Sequence, residues 1–244
     1  MLKEAIEKIQ ELAQPIIHEQ DGKSFCIRKD GIQQIFPEKN TPDTLDLYSL
    51  DSLVKMIKTE AVKSYKPPIY VTIPTHLRAV CFAQPLGDTK RYQRPELYMA
   101  HATNIPGWEE NVQLPFEEMQ IALRTRFQET ADTNYALKLL SDITTGAKIT
   151  FNDNGIATSV VTQKGISLQS NEAIRPIVKL KPYRTFQEVE QPESTFLIRI
   201  SERGIRFVEA DGGMWKLQAR NNIKGYLEEA LAAEISAGDV VVAL

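Results

Sequence analysis

Residues 182–194 read PYRTFQEVEQPES, and after a predicted β-hairpin residues 209–215 read EADGGMW. We call these two stretches together the hairpin motif. Its proline, arginine, glycine and aromatic residues are typical of a demanding backbone or of a specified surface. No nucleophile, metal-binding cluster or phosphate-binding loop stands beside it in the sequence. The hairpin motif therefore predicts an architecture, and no reaction can be read from it.

The residues around the hairpin motif alternate in a way that predicts strands and helices in succession. Apolar residues recur with a period of two over 195–200 and 205–208, which predicts the two strands of the hairpin. A terminal helix that begins at Trp215 follows them. Upstream, residues 149–161 predict another β-hairpin, and helical periodicity over residues 116–140 predicts two helices in antiparallel succession.

The N-terminal part of the chain combines strands with one capped helix. Ser49 precedes apolar residues at helical spacing and is a typical helix N-cap. Residues 24–36 predict a β-hairpin, and the β-prone runs at residues 69–73, 79–83 and 97–100 predict a meander of three strands beside this helix. We therefore expect an α+β fold with an N-terminal α+β region over 1–108, a helical hairpin over 109–146, and a mostly antiparallel sheet capped by the terminal helix over 147–244. These segments could also form one continuous domain.

Composition places the chain among ordinary soluble globular proteins. Charged residues make up 25% of its 244 residues and apolar residues 42%, which disfavours disorder and fibrous classes. No apolar run approaches the roughly 20 residues that a membrane-spanning helix needs. The first residues lack the apolar centre of a signal peptide, so we expect a cytoplasmic protein. In that compartment Cys26 and Cys81 should be reduced, buried thiols.

The candidates for metal or cofactor chemistry are weak. His18, His76 and His101 lie far apart, without cysteine or acidic residues at ligand spacing, so no zinc site is predicted. The stretch 152–155 reads NDNG and lacks the downstream glutamate of a calcium loop, which favours a hairpin turn. We predict no metal and no cofactor, and the sequence favours a non-catalytic protein while leaving an enzyme open.

The chain carries a formal net charge of −3, from 29 basic and 32 acidic residues. Nucleic-acid binding would therefore require a local patch of positive charge. Lys181, Tyr183, Arg184 and Phe186 mix basic and aromatic side chains, as single-stranded nucleic-acid or nucleotide sites do. Three glutamates follow at once, which favours a charge-balanced surface. A second alternative is a carboxylate- or metal-dependent hydrolase that uses Glu209 and Asp211.

The hairpin motif, together with residues 137–139, 153–155 and 165–166, resembles the YfdQ-like family of phage and prophage proteins of unknown function. The resemblance covers the C-terminal half of the chain. It implies a bacteriophage or prophage gene product in the bacterial cytoplasm, and it supplies no catalytic residue. The family pattern has Asp-Asp-Gly where this chain has Asp153-Asn154-Gly155, which further disfavours a metal role for that loop.

The resemblance leads us to treat the motif residues as a structural and interaction core. Arg184 is the expected polar pivot, since its guanidinium can bridge Glu209 or Asp211 bidentately. Trp215 should be buried and anchor the terminal helix after the glycine turn. The interaction candidates are Lys181, Tyr183, Arg184, Phe186, Glu209, Asp211, Gly212, Gly213 and Trp215.

The first functional hypothesis is a non-catalytic phage accessory protein that binds a host or phage macromolecule and could counteract a bacterial defence. We also expect a homo-oligomer, because the β-prone residues 240–244 would be an aggregation hazard unless they were paired. An intramolecular strand would satisfy the same residues equally well.

Overall fold

The computed structural model describes residues 3–4, 16–20, 23–28, 31–35, 42–85, 94–109, 111–145, 148–153, 158–164, 167–168, 175–201 and 203–244. The chain divides into two compact units, one of residues 1–43 with 84–95 and the other of residues 44–83 with 96–244. These units do not follow the three consecutive segments expected from the sequence. The α+β fold class is confirmed.

The first unit contains an antiparallel three-stranded sheet in the order β1-β2-β3. The hairpin predicted over residues 24–36 forms its second and third strands, whereas the first strand was not predicted. The apolar spacing of residues 2–13 also predicts a short N-terminal helix, which falls almost entirely outside the described residues. The strands are β1 (Ile16–Gln20), β2 (Lys23–Arg28) and β3 (Gly31–Ile35).

The second unit contains a five-stranded sheet in the order β14-β5-β6-β7-β4. Its three central strands are those predicted from the β-prone runs, and they pair antiparallel. The two edge strands are parallel to their neighbours. The strands are β4 (Leu45–Leu47), β5 (Ile69–Thr75), β6 (Arg78–Phe82), β7 (Glu96–His101) and β14 (Val240–Ala243).

Two helical segments pack with this sheet into one apolar core. The first is the capped helix (Leu50–Met56), which continues through a π-helical turn (Ile57–Ala61) and a short helix (Val62–Ser64). The second is the terminal helix (Trp215–Ala230), followed by a short helix (Ala232–Ser236). The terminal helix follows the C-terminal strands in the chain, but its apolar side is buried with the five-stranded sheet through Ile223 and Leu227, together with Leu231 directly after the helix.

The second apolar core of this unit lies between the helical hairpin and an antiparallel sheet. The sequence predicted both elements, but it placed the terminal helix, and not the helical hairpin, on this sheet. The sheet consists of β11 (Ile177–Leu180), β12 (Ser194–Ser201) and β13 (Gly204–Glu209). The helices are Phe116–Arg126 and Ala131–Thr145. Alternate residues of β12 are buried, so Phe196, Ile198 and Ile200 enter the core. A separate antiparallel sheet contains β8 (Lys148–Asp153), β9 (Thr158–Lys164) and β10 (Ser167–Leu168).

The terminal strand belongs to the sheet of its own chain. Val240–Ala243 pairs parallel with residues 69–72 of β5. Its backbone groups are satisfied on that side without a second subunit. Of the two sequence-based alternatives, the intramolecular strand is therefore the one observed, and the homo-oligomer stays a prediction.

Gly204, the first residue of β13, should be the least replaceable glycine among those described. Its φ is 132°, and a Cβ atom there would lie 2.1 Å from the carbonyl oxygen of Leu114. We expect Gly204→Ala to lower the free energy of unfolding by about 2–3 kcal/mol in urea denaturation, because it adds backbone strain to a clash with backbone.

Gly225→Ala is the matched control for this prediction. A glycine inside the predicted terminal helix weakens that helix and so predicts close packing at Gly225, but a Cβ there would meet no atom within 4 Å. Since alanine is the better helix former, this variant should gain about 0.5–1 kcal/mol. An unchanged stability of Gly204→Ala would contradict the close approach of Gly204 to the backbone of Leu114.

Candidate functional site

Arg184 lies in the interior of the second unit. The residue is 7% exposed, and its Nη1 donates to Glu209 Oε1 at 2.5 Å and to Ser194 Oγ at 3.2 Å. The guanidinium also lies 4.4 Å from the centroid of the Trp215 ring, at cation–π distance. Of the two expected partners of Arg184, Glu209 is thus the one that forms the ion pair. Arg184 joins β12, β13 and the start of the terminal helix, and it is not exposed to a ligand.

Gln191 fixes the backbone that follows Arg184. Its side chain is buried, and its Oε1 accepts the backbone N–H groups of Arg184 at 2.9 Å and Thr185 at 3.2 Å. Its Nε2 donates to the carbonyl oxygen of Phe186 at 2.9 Å. Thr185 Oγ1 donates to the carbonyl oxygen of His76. One amide side chain therefore closes residues 184–191 into a firmly held loop.

Two buried apolar residues anchor this loop, and the two residues between them are polar. Phe186 is 2% exposed and Val189 7%, and both belong to the core of the five-stranded sheet. Between them Gln187 is exposed and Glu188 is half-buried. The anchored neighbours restrict where these polar side chains can go. The loop therefore works as a support that presents Gln187 and Glu188.

Gln187 and Glu188 border an open cleft of about 310 Å³. Its other walls come from the residues before the capped helix and from the segment after β7. The volume lies at the small end of the range for ligand sites, about 300–1,000 Å³. The lining residues are Tyr48, Ser49, Ala102, Thr103, Asn104, Phe186, Gln187 and Glu188.

Glu188, which lines the cleft, also caps a helix. Glu188 Oε1 accepts the backbone N–H of Leu50 at 2.8 Å, and Ser49 Oγ accepts that of Ser52 at 3.1 Å. These bonds satisfy donors at the helix N-terminus that the helix itself leaves unpaired. The predicted cap at Ser49 is confirmed. The contribution of Glu188 was missed, because it comes from 138 residues further along the chain.

Asn104 lines the opposite side of the cleft and has an unusual backbone conformation. Asn104 has a φ of 57°, in the left-handed region that asparagine tolerates better than most residues. Gln187 Nε2 donates to its carbonyl oxygen at 3.2 Å. The contact links the segment after β7 to the loop of the hairpin motif. Both sides of the cleft are thereby tied together.

Trp215 is 5% exposed and begins the terminal helix, which confirms its predicted burial. His76 meets it edge to face, with ring centroids 4.8 Å apart. Burial, followed by the positive charges of Lys216 and Arg184, lowers the pKa of the His76 imidazole from its usual value. The imidazole is therefore neutral at pH 7 and acts as a packing partner of the tryptophan.

The remaining motif candidates have local structural partners. Lys181 Nζ pairs with Glu190 Oε1, and the backbone N–H of Tyr183 donates to the carbonyl oxygen of Arg126 at 2.9 Å. Asp211 Oδ1 accepts the N–H of Gly213 at 2.9 Å. Gly212 and Gly213 both have positive φ, 64° and 79°, as the predicted turn requires.

This placement weakens both alternative functions. Arg184 and Phe186 are buried, so neither can contact a phosphate or stack on a base at the surface. Glu209 is engaged by Arg184, and it forms no metal cluster with Asp211. Within the described ranges, no group of three or more histidine, cysteine, aspartate or glutamate residues could hold a metal ion.

The cysteines are free thiols, as predicted, and differ in accessibility. Cys81 is buried in β6, and burial raises the pKa of its thiol to about 12. Cys26 in β2 is only half-buried, where a buried side chain was expected. The high pKa disfavours a nucleophilic thiolate at Cys81. In the part of the chain that is described, no helix is long and apolar enough to cross a bilayer.

Comparison with protein-family models, curated proteins and solved structures finds no match to this chain. The resemblance to the YfdQ-like family therefore stays a prediction. Of the nine motif candidates, Phe186 alone lines the cleft, and the cleft residues that the sequence missed are led by Tyr48, Thr103 and Asn104. The only local signs of these residues in the sequence are that Tyr48 is an aromatic residue next to a helix cap and that Asn104 is an asparagine in a loop.

Proposed function

We propose that this chain is a non-catalytic bacteriophage or prophage accessory protein that binds a host or phage macromolecule at the cleft. The phage assignment rests on the resemblance of the hairpin motif to the YfdQ-like family. A binding protein of this kind would act in the bacterial cytoplasm, and counteracting a bacterial defence is one role that fits it.

The single observation that carries the binding proposal is an exposed cleft on a firmly held support. Tyr48 is 67% exposed although it is a large aromatic residue, and Thr103 and Gln187 beside it are exposed too. Tyrosine is enriched at binding hot spots because it offers contact area at a low cost in side-chain entropy. A support that does not have to be ordered on binding also favours affinity.

The test is co-purification with the full chain from infected or lysogenic cells, comparing the wild type with Thr103→Arg. Thr103 is exposed and lines the cleft, so an arginine there should obstruct it without disturbing the core. We expect the affinity of a specific partner for the variant to fall by about tenfold or more. Nuclease treatment of the captured material separates a protein partner from a nucleic acid.

Thr125→Arg is the matched control. Thr125 is equally an exposed threonine, but it lies on a helix of the helical hairpin and not in the cleft. A captured protein counts as the partner only if its purified form binds the wild type and Thr125→Arg but not Thr103→Arg. Equal binding to all three proteins would refute the cleft as the site.

A further inference from the structure

The charge of the cleft restricts what it can bind. Among the described residues that line it, Glu188 is negatively charged and none is positively charged. Among the described contacts, Glu188 accepts one hydrogen bond, from the backbone N–H of Leu50 to Oε1. Its other carboxylate oxygen, Oε2, is left for a further donor. A carboxylate oxygen attracts a cationic donor more strongly than a neutral one.

A second carboxylate strengthens the negative field beside Glu188. Asp51 lies in the first turn of the capped helix and accepts the hydroxyl of Tyr226 through Oδ1. The pKa of the Tyr226 hydroxyl is raised, first by burial and then by Asp51 and Glu188. Both carboxylates therefore lie near this hydroxyl. The helix N-terminus offsets about half of one negative charge. The full charge of the Glu188 carboxylate is larger than this partial charge, so Glu188 still favours a cationic donor.

Tyr48 supplies the second element of a cation site. Its ring lines the cleft and is 67% exposed. The face of an aromatic ring attracts ammonium and guanidinium groups through its quadrupole. A carboxylate and an aromatic ring at one small cleft are complementary to a positive group at the end of an apolar chain. The volume of about 310 Å³ suits a group the size of one long side chain.

We propose that the cleft binds a guanidinium or ammonium group carried on a short aliphatic chain, held by Glu188 and Tyr48. This inference rests on the proposed function and names the ligand chemistry of the same site. The group can come from an arginine or lysine of a partner protein or from a free amine. An anionic or purely apolar ligand would leave Glu188 facing an unfavourable neighbour.

The test is an NMR titration of the full chain with three probes, followed through the backbone amides of Thr103 and Gln187. The probes are acetyl-Gly-Arg-Gly-amide, the same peptide with neutral citrulline in place of arginine, and agmatine. We expect the citrulline peptide to bind about tenfold more weakly than the arginine peptide, since a charge-assisted hydrogen bond is lost. Tighter binding of the peptide than of agmatine indicates a protein source, and the reverse indicates a free amine.

Glu188→Gln tests the residue directly. The amide oxygen can still accept the N–H of Leu50, so the fold should persist while the affinity for arginine peptide falls about tenfold. Glu193→Gln is the matched control, because Glu193 is a half-buried acid that pairs with Lys179 outside the cleft. Equal affinities for the arginine and citrulline peptides, or no response at these amides, would overturn the inference.

The two proposals can fail separately. If Thr103→Arg abolishes partner capture while the arginine peptide does not bind, the cleft is the site and the ligand class is wrong. If the peptide binds as expected while Thr103→Arg leaves capture intact, the cleft takes cations but the macromolecule binds elsewhere.

Discussion

Replacing Arg184 with methionine is expected to lower the free energy of unfolding by about 3–5 kcal/mol, because it leaves Glu209 buried without its charged partner. The side chains of Arg184 and Glu209 are 6% and 11% exposed. Water therefore cannot take over the role of the guanidinium. Urea denaturation at neutral pH measures the loss.

A double variant and an exposed ion pair provide the controls for Arg184. Arg184→Met with Glu209→Gln should be less damaging than Arg184→Met alone, because no charge is left buried. Lys181→Met breaks the more exposed pair with Glu190 and should cost only about 0–1 kcal/mol. Arg184→Met with the stability of the wild type would show that the buried ion pair contributes nothing to the fold.

Trp215→Ala is expected to cost about 3–5 kcal/mol, the usual range for removing a buried large aromatic side chain. The ring packs against His76 and under the guanidinium of Arg184, so its loss also removes the cover of the buried ion pair. Because Trp215 is the first residue of the terminal helix, the loss should loosen the start of that helix. Thermal and urea unfolding measure both effects.

Leu217→Ala is the control for Trp215. Leu217 lies two residues later on the same helix and is 44% exposed, so its truncation should change stability by less than about 1 kcal/mol. If Trp215→Ala unfolded at the same temperature as the wild type, the ring would have to be exposed in solution. Trp215 would then be available as a binding surface.

Prediction succeeded for features that depend on neighbours in the chain. The cap at Ser49 needs only a hydroxyl before a run of helical periodicity, and the structure has it. The alternation of β12 and the glycine turn at 212–213 are likewise properties of a few adjacent residues. Burial of Trp215 followed from its size and its place after that turn.

Prediction failed where distant segments meet. The strand Leu45–Leu47 is too short to be recognised by its pattern, and it exists because it pairs with β7. The pairing of Val240–Ala243 with β5 could not be distinguished from pairing with a second chain, because both satisfy the same backbone groups. The candidate site shifted from the hairpin motif to the cleft for a related reason, since exposure is decided by the whole fold.

The sequence by itself therefore determined the fold class, the main helices and strands, and Arg184 as a residue that pairs with Glu209 or Asp211; the structure selected Glu209. These depend on periodicity, capping and the low tolerance of a chain for unpaired buried charge. Only the tertiary structure decided that the motif is a buried support and that its exposed edge forms a cleft. Segments 48–49, 102–104 and 186–188 build that cleft, and contacts over such separations arise from packing, which no local pattern records.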